Sequence, residues 1–466
     1  MMFALVNLSY LTAAVFFILG IKGMTKPKTA VRGNQLSAIG MLIAVTAALL
    51  HHDIIGFTTI IAGILLGGSI GAVLAKRTAM TSMPELVASL NGVGGGASLA
   101  VAGSTWLTAM AANSVVTGVW SAAILASIVI GAITLSGSVV AVLKLKGTIG
   151  DSKRARQWQL ITVASLVGIL ACASMMFGEG QLSSLVLLAI VGLCLLLGVG
   201  LVQPIGGADM PVVVALLNAY SGLAGAATGF VLENQGLIIT GSLVGASGLI
   251  LTAVMCKAMN RSLPNVLFGG AFGPQADTQS KSNDSEFYDG KVKYATPDDL
   301  ALLLDGARSV VMVPGYGLAV AQAQHAVKEL ANQLEARGAK VSYAIHPVAG
   351  RMPGHMNVLL AEAEIPYDQL KDMDTINPEL PQADVAIVLG ANDVVNPAAA
   401  EDPNSPIFGM PILDVHKAKT VVNVKRSLSP GFAGIPNSLF IRDNSLMVKG
   451  DAKEVLQATT SAIKEL

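Results

Sequence analysis

Nine long apolar runs occupy the chain up to Asn260, at residues 3–21, 35–50, 54–75, 84–112, 115–143, 159–178, 182–202, 208–232 and 236–256. A bilayer core is crossed by about 20 apolar residues in helical form. Lipid offers the backbone no hydrogen-bond partner, so runs of that length satisfy their own N–H and C=O groups as helices. The second run is short, and the pattern does not fix its ends. The chain is 53% hydrophobic and 13% charged, against roughly a quarter charged in a soluble domain. That deficit lies in the first half. Residues 1–262 therefore read as a polytopic α-helical membrane domain, 263–296 as a flexible linker, and 297–466 as a domain of soluble composition. The formal net charge of +0 gives no argument for nucleic acid, and Cys172, Cys194 and Cys256 show neither disulfide nor metal spacing.

Basic residues follow the first run (Lys22, Lys26, Lys28, Arg32), the third (Lys76, Arg77), the fifth (Lys144, Lys146, Lys153, Arg154, Arg156) and the ninth (Lys257, Arg261). The loops after the second, fourth, sixth and eighth runs carry none. The positive-inside rule makes the basic loops cytoplasmic. Nine spans then place the N-terminus outside and residues 297–466 in the cytoplasm, where nucleotides are. The first run has no basic stretch before it and reads as a span rather than a signal peptide.

Polar side chains inside spans are costly unless paired or hydrated. The candidates are His51, His52 with Asp53, Glu85, Asn91, Asp209, Asn218, Tyr220 and Ser221. Asp209 and Asn218 are two and a half helical turns apart and so lie on different faces. His51 and His52 read either as a wetted loop end or as a proton relay. Asn91 and Asn218 read either as bonds between helices or as groups that orient water. The glycines Gly92, Gly94, Gly95, Gly96, Gly222, Gly225 and Gly229 read first as positions of close helix approach.

Beyond the linker the pattern alternates. Helices are expected at 297–306, with Thr296 as N-cap, and at 318–337, 354–363 and 452–463; strands are expected at 309–313, 340–345, 384–389, 420–424 and 446–449. This alternation implies an α/β, Rossmann-like domain with a parallel sheet. Gly315-Tyr316-Gly317-Leu318-Ala319 turns the chain between a strand and a helix. There the glycines and the helix N-terminus suit a dinucleotide pyrophosphate. NAD-binding folds place an acid after the second strand to hold the ribose 2′-hydroxyl. Here that strand runs into His346-Pro347-Val348-Ala349-Gly350-Arg351, with no acid. Lys425-Arg426-Ser427, after the penultimate strand, suits a doubly charged phosphate. The pattern favours NADP over NAD. Asp393 follows Gly390-Ala391-Asn392 at a strand's carboxyl end, where it reads either as a loop cap or as a carboxylate that senses protonation near a nicotinamide.

These motifs resemble the proton-translocating NAD(P) transhydrogenase family, specifically its beta subunit. The likeness also covers Met352-Pro353-Gly354-His355-Met356-Asn357 and, in the membrane half, Ile205-Gly206-Gly207-Ala208-Asp209-Met210-Pro211 with Asn218 and Met255-Cys256-Lys257-Ala258-Met259-Asn260-Arg261. The resemblance implies NADP(H) on this chain and NAD(H) on a separate alpha subunit. It implies direct hydride transfer between the two, coupled to proton translocation across a bacterial cytoplasmic (inner) membrane, and a second copy of this chain in the assembly. It implies a cofactor site of Gly315 to Ala319, Val348, Ala349, Gly350, Arg351, Met352 and Pro353, Gly390, Ala391, Asn392, Asp393 and Val394, Gly409 and Met410, Lys425, Arg426 and Ser427, a lid with Gly431 and Phe432, and Gly450-Asp451. Asn91, Asn218, Asp209, His51 and His52 would serve the proton path. Two positions depart from the family pattern. Asn91 stands where many bacterial members carry His, and Phe432 stands where the lid usually has Tyr. The alternative reading is a transporter or channel gated by a nucleotide-sensing domain.

Overall fold

A computed structural model describes residues 2–51, 57–79, 82–112, 118–150, 155–179, 184–272, 287–352, 354–431 and 433–466. Packing divides the chain into two units, Met1–Ala253 with Val266–Ala271, and Val254–Asn265 with Phe272–Leu466.

Among the described residues the first half forms nine long helices: α1 (Met2–Met24), α2 (Pro27–His51), α3 (Phe57–Arg77), α4 (Met83–Ala111), α5 (Gly118–Leu145), α6 (Ala155–Glu179), α7 (Ser184–Val202), α8 (Met210–Val231) and α9 (Gln235–Ala258). Each of the nine expected spans falls on one of them. Eight are long and apolar enough to cross a membrane, and α2 is not among those eight. Its first turns carry Lys28, Arg32, Asn34 and Gln35, which shortens its apolar stretch. A buried apolar cluster includes Trp106 from α4, Ile124 and Ile128 from α5, and Ile190 and Cys194 from α7. Several of the singled-out glycines do mark close approach. A Cβ at Gly222 would overlap the backbone of Gly245, one at Gly229 that of Ile238, and one at Gly95 the Thr134 side chain and Gly131 carbonyl. Gly225 faces open space.

The segment expected to be linker opens with a helix, α10 (Leu263–Phe272), so the flexible reading fails for those residues. Residues 273–286 lie outside the described residues. The segment 287–295 is also not free. It packs against the sheet domain, where Tyr288 is buried and Tyr294 bridges Met447.

The sheet has six parallel strands, β1 (Ser309–Pro314), β2 (Lys340–Ile345), β3 (Leu370–Asp372), β4 (Val385–Leu389), β5 (Thr420–Lys425) and β6 (Ser445–Lys449), in the order β3-β2-β1-β4-β5-β6. Central strands are near-continuous apolar runs, as a sheet covered on both faces requires; every residue of β4 is buried. Thr296 caps the helix Pro297–Asp305 in a capping box with Asp299. The strand order reverses between β1 and β4. That is the switch point beside which open α/β sheets bind ligands at their strands' carboxyl ends.

Two expectations need correction. The helix expected at 318–337 is two helices, Tyr316–Val320 and Gln324–Ala336, separated by a turn in which Gln322 takes φ +49°. The intervening Ala and Gln residues are helix formers, so tertiary placement of the first turn overrides local propensity. The strand β3 was not anticipated. It has three residues and no alternating apolar pattern.

The glycine packing gives a paired test in the purified membrane protein. Gly222→Ala should destabilise by about 1–3 kcal/mol, because overpacking forces backbone shifts. Gly68→Ala, where nothing lies within 4 Å of the new Cβ, should leave the melting temperature unchanged. Equal melting shifts for the two would contradict this packing.

Candidate functional site

The site begins with two loops that meet backbone to backbone at the switch point. Gly315 N–H donates to Leu389 O and Gly317 N–H to Gly390 O, each at 2.9 Å. A Cβ at Gly315 would overlap the Ala391 backbone, and one at Gly317 would lie 2.7 Å from Gly390 Cα. Gly390 itself has φ +66°, a conformation that side chains disfavour. The turn N–H groups expected to face a phosphate are thus partly committed to the neighbouring loop. The helix behind them has only five residues. The glycines serve close loop approach first.

Asp393 follows in this second loop and is buried. Its Oδ2 accepts from Ala433 N–H at 2.9 Å, which ties the Asp393 loop to residues 431–433. A Cβ at Gly431 would overlap both carboxylate oxygens, so glycine there is what allows the carboxylate its place. Asn392 donates through Nδ2 to Ser429 O at 3.2 Å. Val394 O accepts from Leu413 N–H. Gly409 and Met410 join the site from the side: Met410 belongs to a small apolar cluster against which Ala433 and Ile435 pack.

At the end of β5, Lys425 donates to Ser429 O at 3.1 Å and lies 4.9 Å from the Phe440 ring centroid. Among the described residues it has no salt bridge. Burial pushes its pKa down to about 8, partly offset by the nearby Asp393 carboxylate. Arg426 is largely exposed, with Nε 3.8 Å from Asp451 Oδ2. Ser427 Oγ donates to Ser429 Oγ at 3.0 Å. Gly450 N–H donates to Lys425 O at 3.0 Å, and Asp451 caps the final helix, Ala452–Glu465.

The third arm follows β2. His346 Nε2 donates to Pro411 O at 2.9 Å while its Nδ1 accepts from Val348 N–H at 3.3 Å. His355 Nδ1 accepts from Arg351 N–H at 3.1 Å. Its ring sits against Gly350, which has φ +114° and no room for a Cβ. The Arg351 guanidinium stacks on the Tyr316 ring at 4.7 Å, joining this arm to the Gly315–Gly317 turn. Burial pushes both histidines down to about 4, with Arg351 adding to the effect at His355. No carboxylate stands immediately after β2. Asp372, the last residue of the neighbouring strand β3, caps the helix Met373–Ile376. The expected site residues are therefore gathered along the sheet's carboxyl edge. Pro353 and Phe432 lie outside the described residues.

In the membrane half, Asn91 is buried and donates through Nδ2 to Ser138 Oγ at 3.3 Å. Asn218 is exposed on α8, whereas Asp209 is buried at that helix's N-cap, in keeping with two different faces. Lys144 Nζ donates to Ile205 O in the turn before Asp209. His51 ends α2, and its side chain and all of His52 lie outside the described residues. Sequence reasoning missed a second buried polar contact, Ser127 Oγ to Thr228 Oγ1 at 2.7 Å. Hydroxyls bond their own i−4 carbonyl, as Thr228 does with Ala224 O, so they carry little polar signal in an apolar run. Tyr288, Asn437 and Phe440 were also missed; none sits in a glycine or charge motif.

A family model described as NAD(P) transhydrogenase beta subunit matches residues 6–462. Two curated relatives, both named NAD(P) transhydrogenase subunit beta and both from Rhodospirillum rubrum, are each 45% identical over 459 residues, 98% of this chain and 98% of theirs.

The buried histidines set an acid limit on the sheet domain. Their folded pKa of about 4 lies below the unfolded value near 6.5. The unfolded chain therefore binds more protons between those values, and stability falls as pH drops through that window. Calorimetry should show the domain's melting temperature rising from pH 4.5 to 6.5 and then levelling. A flat profile over that range would contradict neutral burial of both rings.

Proposed function

Because the chain belongs to the NAD(P) transhydrogenase beta-subunit family, we propose that its sheet domain holds NADP(H) and that a partner alpha subunit holds NAD(H). When bound, NADP(H) supplies a nicotinamide that exchanges hydride with that of NAD(H). The gated-channel alternative is not favoured by this membership.

The observation that carries the cofactor assignment is the contrast between two strand ends. After β2, where an NAD ribose would need a carboxylate, stands neutral His346. After β5 stand Lys425, Arg426 and Ser427. Lys425 has a depressed pKa and no salt bridge among the described residues, which suits a dianionic 2′-phosphate. Lys425, Arg426 and Ser427 would hold the 2′-phosphate at the β5 end, and the Tyr316–Arg351 stack at the β1–β2 end would be left to the other half of the dinucleotide. The Gly315–Gly317 and Gly390–Asp393 loops stand between them.

We further propose that the basic loops are cytoplasmic, that the N-terminus lies outside a bacterial cytoplasmic membrane, and that two copies of the chain assemble. Proton movement would use His51 and His52, with Asn91, Asn218 and Asp209 orienting water or neighbouring groups. Asparagine cannot titrate, whereas imidazole exchanges protons near neutrality. Replacing both histidines with Ala should slow proton-coupled turnover several-fold in vesicles and leave NADP binding intact. Normal pumping by the double variant would return them to a solvated loop end.

Titration calorimetry on the full chain tests the cofactor assignment. NADP⁺ should bind far better than NAD⁺, and Lys425→Ala/Arg426→Ala should lose at least about 100-fold, since charge-assisted bonds contribute roughly 1.5–3 kcal/mol each. Bound phosphate raises the Lys425 pKa above its free value of about 8. Affinity should therefore be full below that pH and weaken above it, as binding comes to require proton uptake. Equal affinity for the two nucleotides would sink the assignment.

Asp393 serves as a cap for Ala433, and we propose that it also responds to protonation at the site. Asp393→Asn should change the rate and pH dependence of NADPH release with little change in melting temperature. An unaltered pH profile leaves only the cap.

A further inference from the structure

The chain enters the sheet domain through residues 287–295, of which 293–295 lie along the open edge of β6. Ala295 N–H donates to Met447 O at 3.0 Å and Met447 N–H to Lys293 O at 2.8 Å. Lys293 pairs with Asp443 at 3.2 Å. These contacts would suffice to dock the segment. Tyr288 does something else. It is buried, its ring lies 6.1 Å from that of Phe440, and its hydroxyl accepts from Asn437 N–H at 2.6 Å.

Asn437 is fully buried and every polar atom of its side chain is committed. Its Oδ1 accepts from Leu439 N–H at 2.9 Å. Its Nδ2 donates to the backbone and side-chain oxygens of Asn392 at 3.0 and 2.9 Å. Asn392 donates to Ser429 O, the carbonyl that also accepts from Lys425, and Lys425 sits over Phe440. The contacts close a ring through Tyr288, Asn437, Asn392, Ser429, Lys425 and Phe440. Lys425 and Asn392 belong to the proposed NADP(H) site, and Asp393 is the next residue in the chain. The ring is buried at Tyr288, Asn437 and Phe440 and opens to solvent at Ser429; at its buried end a satisfied polar network holds one geometry and shifts when one member is removed.

We propose that Tyr288 is a positioning residue: through Asn437 and Phe440, the segment that leads out of the membrane half sets where Lys425 and Asn392 stand, and so sets NADP(H) affinity. The proposal rests on the NADP(H) reading of the site. It couples the entering segment, one residue removed, to Lys425 through Phe440 and to the loop that carries Asp393 through Asn437.

The test uses the full chain assembled with its partner subunit in vesicles. Tyr288→Phe keeps the ring contact with Phe440 and removes the acceptor for Asn437 N–H. It should raise the KM for NADP⁺ about fivefold, the worth of one neutral hydrogen bond, leave the KM for NADH unchanged and lower the melting temperature modestly, since a buried N–H loses its acceptor. Lys293→Ala removes an exposed ion pair of the same segment without touching the ring or the backbone bonds to Met447, and should leave the KM for NADP⁺ unchanged with little shift in melting temperature. If Tyr288→Phe behaves like Lys293→Ala, or if both raise that KM alike, Tyr288 merely docks the segment and the proposal is overturned. A wild-type chain that does not discriminate NADP⁺ from NAD⁺ in direct binding would instead defeat the NADP(H) reading, a result separable from either variant.

Discussion

The backbone contact between the Gly315–Gly317 turn and the Gly390–Ala391 loop governs the nucleotide half. It occurs where the sheet order reverses, so no helix intervenes between the two strand ends. Only residues without a Cβ can bring the two loops this close. Once they meet, Asp393 is carried inward and Gly431 leaves space for its carboxylate. Ser429 then meets Lys425 and Asn392, and Ala433 meets Asp393. The Tyr316–Arg351 stack extends the same surface toward β2. A single side chain at either glycine would part these loops and displace each group that follows.

The membrane half answers to a different constraint. Lipid gives no hydrophobic drive to helix association, so close packing and interhelical hydrogen bonds must hold the bundle. Gly95 against Thr134 and Gly222 against Gly245 supply the first; Asn91 with Ser138 and Ser127 with Thr228 supply the second. Asn91 is a polar residue placed where it bonds α4 to α5 inside the bundle. A buried amide there keeps a polar group in the bundle without a titrating one.

Much of this was legible in the sequence, for identifiable reasons. The nine helices follow from apolar length, since lipid forces the helix. The sheet domain follows from alternating patterns, and the strand-end motifs lie along its carboxyl edge. What escaped had weak local signals. Strand β3 is three half-exposed residues with no periodicity. The break at Gln322 lies among helix formers and is imposed by the neighbouring loop. The start of the linker gave no helical cue that outweighed its Gly-rich composition. Tyr288 and Asn437 lie 149 positions apart, and no motif joins them; their contact exists only once residues 287–295 pack onto the sheet domain. Local pattern reports elements and strand-end chemistry well, and reports long-range hydrogen bonds hardly at all.

The central claim is that one chain joins an NADP(H) site to proton movement and needs a second subunit for its chemistry. Reconstitution into sealed vesicles tests this most directly, with hydride transfer from NADH to NADP⁺ followed with and without the alpha subunit and an uncoupler. The account predicts no turnover by the chain alone. With the partner it predicts turnover that responds to an imposed proton gradient and loses that response when the uncoupler is added. Turnover by the isolated chain, or turnover by the pair that is indifferent to the gradient, would contradict it.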